Sequence, residues 1–150
     1  MSKNTKKIIV INGPNLNNLG IRNNNFYGKE TLLDVESQML ENGKNNNFDV
    51  SFFQSNHEGA IVDFIQTLDK NELSGIIINA GALSQVGYSI LDALIDLSPV
   101  NFIEIHISNV YSREEFRQKS VFAKYALGQI CGLGTYGYLA AMNFFIKENE

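Results

Sequence analysis

Apolar residues in this chain fall into short blocks divided by glycine-rich or asparagine-rich joints, and two spacings alternate along it. Continuous β-branched or aromatic runs read as buried strands: KIIVIN (Lys7–Asn12), FDVSFFQS (Phe48–Ser55), SGIIINAG (Ser74–Gly81) and VNFIEIHIS (Val100–Ser108). ALGQICGLG (Ala126–Gly134) looks like a fifth. Helical spacing fills the intervals. From about Thr31 to Asn45 it sets Leu32, Val35, Met39 and Leu40 on one face. SNHE (Ser55–Glu58) has the S-x-x-E form of a capping box ahead of Ile61, Phe64, Ile65 and Leu68, which gives His57 a structural place in the first turn. A further helix is expected over about 87–97, and a last one ending near Lys147.

Strand and helix in alternation mean right-handed βαβ units and a parallel sheet with helices on both faces. Five strands fit a doubly wound, flavodoxin-like α/β sheet formed by one domain over residues 1–150, with residues 1–6 a flexible N-terminus. Such sheets bind ligands beyond the carboxyl ends of their strands, where strand order reverses. The polar residues gather there. Asn12 and Asn15 follow the first strand, with Arg22 and Tyr27 just beyond; Asn79, Ser84 and Gln85 follow the third. The fourth ends in Glu104, His106 and Ser108, with Arg113 and Arg117 after them. As the start of a helix, SREEFRQK would put Arg113 and Arg117 on one face.

Composition narrows the choices. With 44% hydrophobic residues and a net charge of −4, the chain can bury a core. Its acidity disfavours nucleic acid or an anionic membrane as the main partner. The apolar run near the start is four residues long, too short for a signal segment, and no stretch approaches a membrane span, so a cytoplasmic location is expected. One cysteine and two histidines give no metal-ligand spacing, and Cys131, in an apolar strand, reads as an inert core thiol. GLGTYG (Gly132–Gly137) matches G-x-G-x-x-G, yet the 13 residues after it leave no room for the second βα unit and acidic residue of a dinucleotide site. Close helix–strand packing explains those glycines better.

Glu104 and His106 lie two apart on a strand and leave the same face, so a carboxylate can orient an imidazole that serves as general acid. A tyrosine phenol ionises near pH 10, and acts as a base near neutrality only where a cation favours the phenolate. Arg22 is the sequence-local cation for Tyr27, and Arg113 or Arg117 can close on it from the fourth strand. Alternatively Tyr27 only packs the segment down. Acting together, base and acid could remove a proton beside a carbonyl and expel a hydroxyl from the next carbon. Asn15, directly or through a water, could hold the enolate oxygen. Asn79, Ser108 and backbone N–H groups offer a carboxylate cradle, while arginine and Asp92 suit hydroxyl groups. No step needs a metal, a nucleotide or a Schiff base.

The blocks NGPNLNNLGIR…FYG, SNHEG, NAGALS, EIHISN, SREEFR and ICGLGTYGY, in this order from about Ile8 to Phe145, resemble type II 3-dehydroquinate dehydratases of the shikimate pathway. The resemblance implies a flavodoxin-like fold, a dodecamer of four trimers, and trans elimination of water from 3-dehydroquinate through an enolate, without cofactor or metal. It implies Tyr27 as base with Arg22 and Arg113 as cationic neighbours, His106 as acid oriented by Glu104, and Asn15 at the enolate. Asn79, Ile107 (through its backbone) and Ser108 match contacts to the substrate carboxylate, Arg117 a contact to its hydroxyls, and Asp92 an acid from an adjacent subunit. Two positions depart from the pattern. Gln85 stands where the family usually has histidine, which predicts weaker substrate binding, and a triple-asparagine lid lacks the usual proline, which predicts disorder without ligand. A competing reading, a weakened paralogue that binds a quinate-like ligand, takes Gln85 as an early sign of decay.

Overall fold

The computed structural model describes residues 6–150, so the expected flexible N-terminus lies outside the described residues except for Lys6, which opens the first strand. Five parallel strands, β1 (Lys6–Asn12), β2 (Phe48–Gln54), β3 (Leu73–Asn79), β4 (Phe102–His106) and β5 (Gly128–Cys131), form one sheet in the order β2-β1-β3-β4-β5. Alternation along the strands assigns each apolar side chain to a layer. Ile8, Val10, Ile77, Ile103 and Ile105 pack under α2 (Leu32–Asn46) and α5 (Tyr136–Glu148). Ile9, Ile11, Ile76, Ile78 and Phe102 face α3 (Glu58–Gln66) and α4 (Tyr88–Asp96) on the other side. Burial on both faces is why the strands read as unbroken apolar runs.

The chain leaves β1 in one direction to make β2 and returns in the other to make β3, so the order reverses between the ends of β1 and β3. Asn12 and Asn79 are register partners at that point. The two strand ends close tightly there: a Cβ on Gly13 would stand 2.4 Å from the Ala80 carbonyl oxygen, so only glycine allows the approach.

Three local expectations are corrected. The helix start at Ser55–Glu58 is not a capping box: His57 is the N-cap, Ser55 Oγ accepts from the His57 backbone N–H, and Glu58 accepts from Ser89 Oγ on α4. Serine two residues ahead of an N–H closes a local turn as readily as it caps a helix. The reciprocal box belongs to α2, between Thr31 and Asp34. Leu40 is exposed, because the buried seam of α2 runs through Val35, Met39 and Gly43. SREEFRQK begins no α-helix. Two short 3-10 turns, Val110–Ser112 and Glu115–Gln118, are separated by an extended Arg113.

Candidate active site

The loops after β1, β3 and β4 enclose a recess at the switch point. Asn15, Arg22, Tyr27, Asn79, Gln85 and His106 all contribute to its wall. Ile107, Ser108, Arg113 and Arg117 complete it from the β4 side. Of the twelve residues singled out in the sequence, Glu104 lies beneath the recess and Asp92 lies elsewhere, exposed on α4.

Local chemistry explains how each is placed. Asn15 adopts a left-handed backbone (φ 70°), which asparagine tolerates, and its N–H is tied to Asn56 Oδ1 at 2.8 Å. The asparagine run is a folded turn: Asn23 Oδ1 accepts from Asn25 N–H and caps the short helix α1 (Asn24–Tyr27), while the three asparagines stay exposed. Tyr27 therefore turns inward. Its hydroxyl accepts a hydrogen bond from Arg113 Nη1 at 2.9 Å, and the Arg22 guanidinium lies 4.3 Å from its ring centre. The same Arg113 nitrogen donates to Ser108 Oγ at 3.0 Å, and its plane rests on the Phe26 ring at 4.2 Å. A negative charge forming on the Tyr27 oxygen would thus meet a guanidinium directly. Arg117 is spoken for on one side by Glu114, 2.7 Å from its Nε. The Glu114 carboxyl is held below its ordinary range by its own backbone N–H and then by that arginine.

His106 Nε2 is 3.2 Å from Glu104 Oε2, which leaves Nδ1 as the ring nitrogen free to meet a ligand. Glu104 is fully buried. Burying a carboxylate is tolerable only with donors around it. Ser120 Oγ sits 2.6 Å from both carboxylate oxygens, and Gln129 Nε2 donates to one of them at 2.9 Å. Ser120 has a single proton to give, and it accepts from the Phe122 and Ala123 N–H groups in return. Ser120 and Gln129 escaped the sequence reading. Gln129 could be found only by knowing that it is the register partner of Glu104 across β4 and β5. Next to this cluster, burial and the charge on Glu104 push the Cys131 thiol up to about 11, as befits an unreactive thiol. Gln85 ends the turn after β3 and donates to the Lys119 carbonyl at 3.3 Å.

The volume of the recess is about 60 Å³. Ligand pockets run to roughly 300 Å³ and more, so the recess as it stands is small for a ring-sized ligand. The turn carrying Arg22 and Tyr27 is a wall with an exposed run, Asn23 to Phe26.

A base candidate backed by guanidinium and an acid candidate backed by carboxylate, facing one recess at the switch point of a doubly wound sheet, define an α/β enzyme of the acid–base type. Comparison with known proteins specifies which. The family model described as dehydroquinase class II matches residues 6–146. The chain is 53% identical to the 3-dehydroquinate dehydratase of Endomicrobium trichonymphae, over 95% of this chain and 98% of that one. It is 48% identical to the catabolic 3-dehydroquinase of Debaryomyces hansenii, over 95% and 99%. Its fold superposes on the crystal structure of type II dehydroquinase from Butyrivibrio crossotus with a TM-score of 0.89 at 48% identity, covering 93% of this chain and 97% of that one. The chain belongs to the class II dehydroquinase family.

Proposed function

We propose that this protein is a hydro-lyase that converts 3-dehydroquinate to 3-dehydroshikimate by trans elimination of water. Tyr27, as phenolate, takes the proton from the carbon beside the ketone, and the electron pair moves into an enolate. Asn15 holds the enolate oxygen through a water. As the enolate collapses, the bond to the hydroxyl on the next carbon breaks, and His106 protonates the departing oxygen from Nδ1. A conjugated enone and one water are the products, so the protons balance. Asn79, the backbone of Ile107, Ser108 and Gln85 receive the carboxylate, while Arg117 meets the ring's hydroxyl groups. One observation carries this reading: the two proton-transfer candidates line one recess, each with its own electrostatic partner, Arg113 for Tyr27 and Glu104 for His106.

Asp92 is assigned to the recess of an adjacent subunit within a trimer, four of which make a dodecamer. Support comes from α4, whose outer face carries Tyr88, Asp92 and Ile95 at i, i+4 and i+7, an exposed apolar stripe with one acid in it. Among the described residues no helix is long and apolar enough to cross a membrane, and we assign the enzyme to the cytoplasm. The test of the chemistry is Tyr27→Phe. Turnover should fall by about 10²–10⁴ with the fold retained, the range lost with a general base. Unchanged turnover would remove Tyr27 from the mechanism.

A further inference from the structure

The carboxylate cradle contains an amide, and an amide can face a carboxylate with either its N–H or its oxygen. Only the first attracts. We propose that Tyr138, a residue of α5 outside the recess, is the positioning residue that keeps the nitrogen of Asn79 toward the ligand. This rests on the reading of Asn79 as a carboxylate contact.

Tyr138 is fully buried, and its hydroxyl reaches between the two strand-end asparagines that register alignment sets side by side. The hydroxyl donates its one proton to Asn12 Oδ1 at 2.5 Å. Its oxygen can then only accept from its second neighbour, Asn79 Nδ2, at 3.0 Å. At the other end of the amide, Asn79 Oδ1 accepts from the backbone N–H of Gly81 at 3.3 Å, and a backbone N–H can never do the reverse. The three bonds therefore share one polarity, and a reversed Asn79 would set oxygen against oxygen unless the whole chain of bonds turned over. Held this way, Asn79 spends one N–H on Tyr138 and keeps the other, on the wall of the recess. Burial lifts the Tyr138 phenol well above the ordinary tyrosine range, so it stays a neutral hydroxyl with a proton to give. Phenylalanine would fill the same core space without a polar group to satisfy, which leaves the hydroxyl with a polar task.

The experiment measures KM and kcat for 3-dehydroquinate in Tyr138→Phe, alone and combined with Asn79→Ala, with melting temperature recorded for each. In the single variant KM should rise about five- to tenfold, the effect of one neutral hydrogen bond, with kcat within about threefold of the parent. In the Asn79→Ala background Tyr138→Phe should change KM by less than about twofold, since its route to the ligand is gone. A purely structural role would lower the melting temperature in both backgrounds and leave KM alone in the first. Unchanged KM in Tyr138→Phe, or an equal KM effect in both backgrounds, overturns the proposal. If Tyr138→Phe does not fold, Asn12→Ala decides: it frees the phenol proton to turn toward Asn79, and KM must rise there too. Failure of the parent protein to turn over 3-dehydroquinate would instead sink the reading of the site, so the two failures are distinguishable.

Discussion

At the scale of single residues, the recess separates groups that do chemistry from groups that hold them. In the proposed mechanism Tyr27 and His106 each present one reactive atom; Arg113 contacts the first, and Glu104, itself held by Ser120 and Gln129, contacts the second. Gln85 is one of the two places where this chain departs from the resemblance, and it lines the recess as a neutral donor. A charge-assisted bond to a ligand is worth about 1.5–3 kcal/mol against 0.5–1.5 for a neutral one. Gln85→His should therefore lower KM about tenfold and leave kcat near the parent value. A KM that rises instead would show that the Gln85 side chain is fitted to its own environment. Most of the wall was legible because strand ends can be counted from the sequence. Among the holders Arg113 and Glu104 were legible too, but the rest were not: Ser120 lies in an irregular stretch without period, Asn56 acts from another loop, and Tyr138 needs the strand order to be known.

At the scale of elements, two short segments decide behaviour. The lid is the first. Its fold in solution is predicted to loosen without ligand, so amide exchange over residues 22–28 should be fast in the free protein and slow with a bound substrate analogue. Equal protection in both states would mean that substrate enters by another route. The start of α2 is the second. Hydrogen bonds from the Thr31 backbone and hydroxyl hold the Asp34 carboxyl below its ordinary value of 3.8. A depressed carboxylate gives stability that is present above its unfolded-state value and is lost as pH falls through the folded one. Melting temperatures of the parent and Asp34→Asn should differ above about pH 4 and converge in more acidic solution. A constant difference would show that the box has no electrostatic part. Sequence pattern located α2 but named no cap for it, and it expected a capping box at the start of α3 instead: S-x-x-E at 55–58 is the better literal match, while T-x-x-D at 31–34 is the one whose backbone fits. SREEFRQK failed for a related reason. Its four-residue spacing looks helical, yet Arg113 is extended because its side chain is drawn to Tyr27 and Ser108.

At the scale of the whole molecule, the described chain lines its recess with ten of the twelve predicted residues, sets Glu104 beneath it and leaves Asp92 outside. Completion by another copy is a statement about assembly. Light scattering should give the mass of twelve chains, and Asp92→Ala should raise KM although Asp92 lies outside its own recess. A monomer with full activity would remove Asp92 from the site. The fold itself follows from the alternation of runs and helices, with the two layers of its core readable from the odd and even positions of β1 and β3. The central claim is that this recess dehydrates 3-dehydroquinate by acid–base chemistry. Its most direct test is to add 3-dehydroquinate to the purified protein, without metal or nucleotide, and follow the ultraviolet absorbance of the conjugated enone. The account predicts a steady rise with the parent protein and almost none with Tyr27→Phe. No rise with the parent, or equal rises in both, would contradict it.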